Sequence, residues 1–133
     1  MAVNSPRAVI LVVEDEPFIR MLAVDLLADT GRIILEADCV EEALAIIDAE
    51  DRIDLLFTDI NMPGELDGLD LATILYRKQP DVELVITSGA RKFNDDEMPD
   101  HGVFISKPYT ARTLTQTVAD KLKIQMQRFD TRG

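Results

Sequence analysis

The chain has 133 residues, 25 of them acidic and 14 basic, with a single cysteine and a formal net charge of −11. That length suits one domain with a real core and excludes a second domain with a core of its own, and the acidity argues against the chain gripping nucleic acid phosphates by itself. One cysteine cannot build an internal disulfide framework, so a reducing cytoplasm is the default compartment, and the longest early apolar run, residues 8–13, is too short to cross a bilayer.

Residues 1–6, with Asn4, Ser5 and Pro6, read as a flexible lead-in, and a single domain is expected over 7–127 with a tail at 128–133. Residues 9–13 are apolar on both faces, the mark of a central strand in a parallel sheet. The helix behind it carries Ile19, Leu22, Ala23, Leu26 and Leu27 on one stripe and ends before Gly31. A second strand covers 33–35. Asp38 and Glu41 then read as a capping box for a helix burying Val40, Ala43, Leu44 and Ile47.

Residues 55–58 form a short buried strand that stops at Asp59, followed by Asn61, Pro63 and Gly64. Asp67 is placed to cap a helix with Leu71, Ala72, Ile74 and Leu75 inward, and Pro80 ends it because its ring cannot continue the hydrogen-bond ladder. Strands follow at 84–87 and 103–105. The last helix, over 110–127, aligns Ala111, Leu114, Val118, Leu122 and Met126. Between residues 88 and 102 the alternation falters: Gly89 and Pro99 bracket a stretch with no apolar stripe, so a short or irregular fourth helix is expected there. Alternation of strand and helix favours an α/β fold, a parallel sheet covered on both faces.

The residues at the strand ends carry the chemistry. They are Glu14 and Asp15, Asp59 with Asn61, Thr87 with Ser88, and Lys107 with Pro108. In an open α/β sheet the carboxyl ends of the strands line the crevice where ligands bind. Carboxylates crowded there repel and raise one another's pKa, a strain that a hard divalent cation with oxygen ligands relieves. An acidic trio opposite a lysine therefore suits a phosphoryl group whose charge the metal and the ammonium share.

Glu14-Asp15, Asp59-Ile60-Asn61-Met62-Pro63, Thr87-Ser88-Gly89 and Lys107-Pro108-Tyr109, in that order on successive strand ends, resemble the receiver domain of two-component response regulators. The resemblance implies a doubly wound, flavodoxin-like sheet of five parallel strands in the order 2-1-3-4-5. It implies Asp59 as phosphoacceptor, and Mg²⁺ held by Glu14, Asp15, Asp59 and the backbone carbonyl of Asn61. Thr87 and Lys107 would contact phosphoryl oxygens, Thr87 and Phe104 would switch together, and Lys107-Pro108 would be a cis peptide. A sensor histidine kinase or histidine phosphotransfer protein would supply the phosphoryl group. With only six residues after the last helix, output would pass to a separate protein target, without direct nucleic acid contact or membrane insertion, and with homodimerisation left open. Glu14 departs from the family's more frequent Asp, and the loop 62–68 is one residue longer than usual.

The competing enzyme reading is a haloacid-dehalogenase-like phosphohydrolase with Asp59 as nucleophile. That chemistry usually needs a second Asp two residues on, where this chain has Asn61. A dinucleotide-binding domain is weaker still, because Glu14-Asp15-Glu16 stands where a glycine-rich turn would cradle a pyrophosphate.

Overall fold

Runs of Val, Ile and Leu with no polar interruption cannot leave either face in water, and the computed structural model, which describes residues 7–28, 31–89 and 102–132, stacks them as a parallel sheet. The elements run β1 (Val9–Val13), α1 (Pro17–Ala28), β2 (Ile33–Ala37), α2 (Val40–Ala49), β3 (Leu55–Asp59), α3 (Gly68–Lys78), β4 (Glu83–Ser88), β5 (Gly102–Ser106) and α4 (Ala111–Arg132). The five strands lie in the order β2-β1-β3-β4-β5, and every pairing is parallel. The irregular fourth helix expected between β4 and β5 falls on residues 90–101, outside those described.

Alternate residues of each strand feed opposite layers, because the side-chain period of a strand is two. Leu11, Val13, Leu56, Leu84 and Ile86 meet α2 and α3 through Ala43, Ile47, Leu71 and Leu75. Ile10, Val12, Leu55, Phe57 and Val85 meet α1 and α4 through Ala23, Leu27, Leu114 and Val118. The helices bury narrower faces than their apolar stripes suggest: Leu22 of α1 and Ile74 of α3 are exposed.

Local capping chemistry sets where the helices begin. Asp67 accepts the Asp70 N–H at 2.9 Å while the Asp70 side chain accepts the Asp67 N–H at 2.9 Å, a complete capping box. At α2 the cap is one residue later than expected. Cys39 Sγ accepts the Glu42 N–H, and Glu42, not Glu41, reaches back to the Asp38 N–H at 3.0 Å.

The last helix corrects two expectations. It continues to Arg132, past 127, and Met126 is exposed while Gln125 is buried in its place. Gln125 Nε2 donates to the Asp54 carbonyl at 2.9 Å and the Asp81 carbonyl at 2.8 Å, bolting α4 to the amino-terminal end of the sheet. Nearby, Lys121 pairs with the buried Glu83 at 3.2 Å. Removing the buried donor takes one hydrogen bond from each carbonyl, the Asp54 carbonyl keeping the Glu83 N–H at 2.9 Å, and each bond lost costs about 1 kcal/mol. Gln125→Ala is therefore expected to cost roughly 2–3 kcal/mol in urea unfolding, whereas Met126→Ala, at a side chain 63% exposed, should stay within about 0.5 kcal/mol.

Candidate functional site

The order of the strands decides where a crevice can open. The chain reverses its direction of winding between β1 and β3, and in such sheets the gap beyond the carboxyl ends at that point is left uncovered. Glu14 and Asp15 follow β1 directly, and Asp59 is the last residue of β3. Carboxylate oxygens of Glu14, Asp15 and Asp59 all lie within 4.8 Å of one another. Asp15 is exposed at the mouth, whereas Glu14 and Asp59 are buried.

Lys107, just past β5, reaches back across the sheet edge. Its Nζ is 2.6 Å from Asp59 Oδ2 and 3.3 Å from Glu14 Oε1. The lysine's own N–H donates to the Ser88 carbonyl at 3.0 Å, so β4 fixes where its side chain starts, and the Lys107-Pro108 bond is cis. Asp59 is oriented from below as well, since Oδ1 accepts the Asn61 N–H at 3.1 Å. Thr87 is the register partner of Asp59, and its carbonyl accepts the Ile60 N–H at 2.9 Å. Phe104 pairs with Ile86, one place earlier, and packs half-buried against the α2/α3 layer.

Electrostatics follow from this crowding. Burial raises the Glu14 carboxyl pKa above its ordinary value, Lys107 pulls it down, and the charge of Asp59 pushes it up again. Burial alone would depress Lys107, but the hydrogen bond and charge of Asp59, with the charge of Glu14, lift its pKa above 10.5. A lysine whose folded value is raised stabilises the fold fully below its unfolded value and loses that contribution as pH climbs through the folded one. In EDTA the native chain should thus lose melting temperature above about pH 10.5 faster than Lys107→Met does. Equal slopes would mean that the lysine gains nothing from its partners.

The strand-end residues Glu14, Asp15, Asp59, Thr87 and Lys107 are all brought to this edge. Two further residues that the strand-end pattern does not mark, Arg20 and Gly68, join them, as does Tyr109 of the Lys107-Pro108-Tyr109 motif. Arg20 Nη1 donates to the Glu14 carbonyl at 2.8 Å. Gly68 packs so closely that a Cβ there would meet the Asp59 carbonyl oxygen and lie 2.9 Å from Ile60 Cα; a glycine opening a helix, where it is a poor helix former, was the available signal. Tyr109 packs edge-on against Phe57, ring centres 6.0 Å apart, and burial pushes its phenol pKa up. Cys39 is the α2 cap already described.

Residues 10–119 match the response regulator receiver domain. The chain belongs to that family. The receiver protein CpdR of Brucella abortus is 31% identical over 116 residues, spanning 85% of this chain and 95% of its own. The sensor kinase CckA of the same organism is 33% identical across 91% of this chain, which spans only 13% of that kinase. NtrX of Azorhizobium caulinodans is 35% identical over 125 residues, and this chain spans 27% of it. Among solved structures, the receiver domain of hybrid histidine kinase CckA superposes with a TM-score of 0.74 at 34% identity, over 86% of this chain and 99% of that one. A receiver from Methanospirillum hungatei JF-1 gives 0.83 at 23% identity over 92% of this chain and 99% of its own, a likeness of fold. This receiver carries its acidic trio, its lysine and Thr87 on the strand ends that the flavodoxin-like order brings together. Among its described residues no helix is long and apolar enough to cross a membrane.

Proposed function

We propose that this receiver is a phosphorylation-dependent signalling switch of the cytoplasm, taking a phosphoryl group onto Asp59 from a histidine kinase or a histidine phosphotransfer protein and passing the signal to a separate protein target. The observation that carries this reading is the placement of Lys107 Nζ 2.6 Å from Asp59 Oδ2 at the mouth of an acidic trio. A nucleophilic carboxylate, a cation to share the incoming charge and an all-oxygen pocket stand together there.

The donor set fits Mg²⁺. Glu14, Asp15, Asp59 and the Asn61 carbonyl would hold it, oxygen donors of the kind that ion takes, with water filling the rest. When bound, it neutralises charge on the phosphoryl oxygens during transfer. The protein's own part is positioning and electrostatics. A carboxylate oxygen of Asp59 forms the new P–O bond as the donor's P–N bond breaks, and the leaving imidazole keeps the electron pair and takes a proton from water. Lys107 turns its ammonium from the Asp59 carboxylate to a phosphoryl oxygen, and the Thr87 hydroxyl donates to another.

Phosphorylation adds about −1.5 to −2 charges. A unit charge about 4 Å from an opposite one is worth about 4 kcal/mol at an effective dielectric of 20, against roughly 5.5 kcal/mol for a full two-state switch. A hydroxyl drawn toward the phosphoryl group displaces Thr87, and Phe104 on the neighbouring strand moves with it, altering the surface over β4 and β5.

The haloacid-dehalogenase-like alternative gains nothing from the fold comparisons, and Asn61 offers an amide where that chemistry needs an acid. Phosphate release from p-nitrophenyl phosphate separates the two. The switch, limited to slow hydrolysis of its own aspartyl phosphate, is expected to release little phosphate, whereas rapid sustained turnover lost in Asp59→Asn would make the protein a phosphatase.

A further inference from the structure

Two adjacent residues on an extended strand point to opposite faces. Glu14 and Asp15 nevertheless bring carboxylate oxygens within 4.8 Å of each other and of Asp59, so the chain must turn between them. The pivot is the Glu14 peptide. Its N–H still belongs to the sheet, donating to the Ala37 carbonyl of β2 at 3.1 Å, but its carbonyl has left the ladder. Arg20, one turn into α1, meets that carbonyl: Nη1 donates to it at 2.8 Å, while Nε pairs with Glu36 of β2 at 3.3 Å. The helix holds the arginine in turn, because the Arg20 N–H donates to the Glu16 carbonyl at 2.9 Å.

We propose that Arg20 is a positioning residue for the cation site, its guanidinium fixing the Glu14 carbonyl so that the Glu14 and Asp15 carboxylates converge on one ion. This rests on the Mg²⁺ reading above. The bland alternative is a surface ion pair with Glu36, whose side chain is 51% exposed; such pairs contribute little. That alternative ignores the carbonyl, which an exposed ion pair does not need. A rigid guanidinium fork serves both partners at once, which an ammonium on a flexible stem does less well.

The two roles predict effects of opposite sign. A positive charge beside a cation site repels the ion, so if charge alone mattered, deleting Arg20 would tighten Mg²⁺ binding. If Arg20 positions the carboxylates, deleting it weakens binding, by about 10-fold for the loss of an outer-shell partner. The test is calorimetric titration of the full unphosphorylated chain with MgCl₂, alongside melting in EDTA, for the native protein, Arg20→Met, Arg20→Lys and Glu36→Gln. Arg20→Met is expected to lose about 10-fold in affinity, Arg20→Lys to recover part of it, and Glu36→Gln to stay within about 2-fold. Should Arg20→Met fail to melt cooperatively, Arg20→Lys carries the test with a loss of about 3-fold expected. Affinity equal to or tighter than native in the folded Arg20 variants overturns the proposal. A native chain that binds no Mg²⁺ overturns the metal reading beneath it, a result visible before any variant is made.

Discussion

Lys107→Met is expected to lower the melting temperature in EDTA by about 8 °C and to regain most of that deficit in millimolar Mg²⁺. The lysine is the only cation among the described residues that bridges Glu14 and Asp59, two carboxylates whose side chains are 6% and 10% exposed. Breaking a buried pair by removing one partner costs about 3–5 kcal/mol. Here the lysine is 28% exposed, and Glu14, already displaced upward in pKa, can take a proton. About 2 kcal/mol is a fair discounted figure, and at roughly 4 °C per kcal/mol for a domain of this size it gives the expected shift. Mg²⁺ is expected to replace the missing charge and to bind the variant more tightly, because the ammonium would no longer compete for the same oxygens. A deficit that is the same with and without Mg²⁺ would place the lysine's contribution outside the carboxylate trio.

Gly68→Ala is expected to destabilise the chain by about 3 kcal/mol and to slow phosphorylation of Asp59 by more than tenfold. Helix propensity alone predicts the reverse, since alanine is better than glycine in a helix by about 1 kcal/mol. Contact decides the sign. The added Cβ would run into the Asp59 carbonyl oxygen and stand 2.9 Å from both the Asp59 carbonyl carbon and Ile60 Cα. Both sides of the clash are backbone: the Gly68 N–H is tied to the Ile60 carbonyl at 2.9 Å, and the Ile60 N–H to the Thr87 carbonyl at 2.9 Å. Relief must therefore move the strand end that carries Asp59, and overpacking of this kind costs about 1–3 kcal/mol or more. Displacement of a reacting group by about 1 Å can cost 100-fold in rate. Urea unfolding and the rate of adduct formation from acetyl phosphate measure the two effects. A variant as stable as the native chain would show that the α3 start can retreat without disturbing the site.

What could be read from the residues alone has a physical pattern. Strands buried on both faces announce themselves as apolar runs, so β1 and β3 are legible to within a residue, and Glu14, Asp15, Asp59, Thr87 and Lys107 stand out because each ends or closely follows such a run. Helix faces were read less well, since an apolar stripe does not say how much of itself is covered: Leu22 and Ile74 belong to their stripes and still face water. Residues that act through tertiary contacts carried no local mark. Arg20 is one arginine on an amphipathic helix until β1 presents a free carbonyl to it, and Gln125 is one glutamine on a polar helix until the loops at Asp54 and Asp81 arrive beneath it. Cys39 stands in place of Asp38 as the α2 cap, with Glu42 rather than Glu41 reaching back to the Asp38 N–H.

The switch stands or falls on Asp59 accepting a phosphoryl group in a Mg²⁺-dependent reaction. Intact mass after incubation with acetyl phosphate or phosphoramidate, in Mg²⁺ and in EDTA, tests it most directly on the native chain and on Asp59→Asn. A single phosphoryl adduct is expected on the native chain, present with Mg²⁺, strongly reduced in EDTA and missing from Asp59→Asn. An adduct that persists in Asp59→Asn, or a native chain left unmodified by these donors and by a panel of histidine kinases, would contradict it.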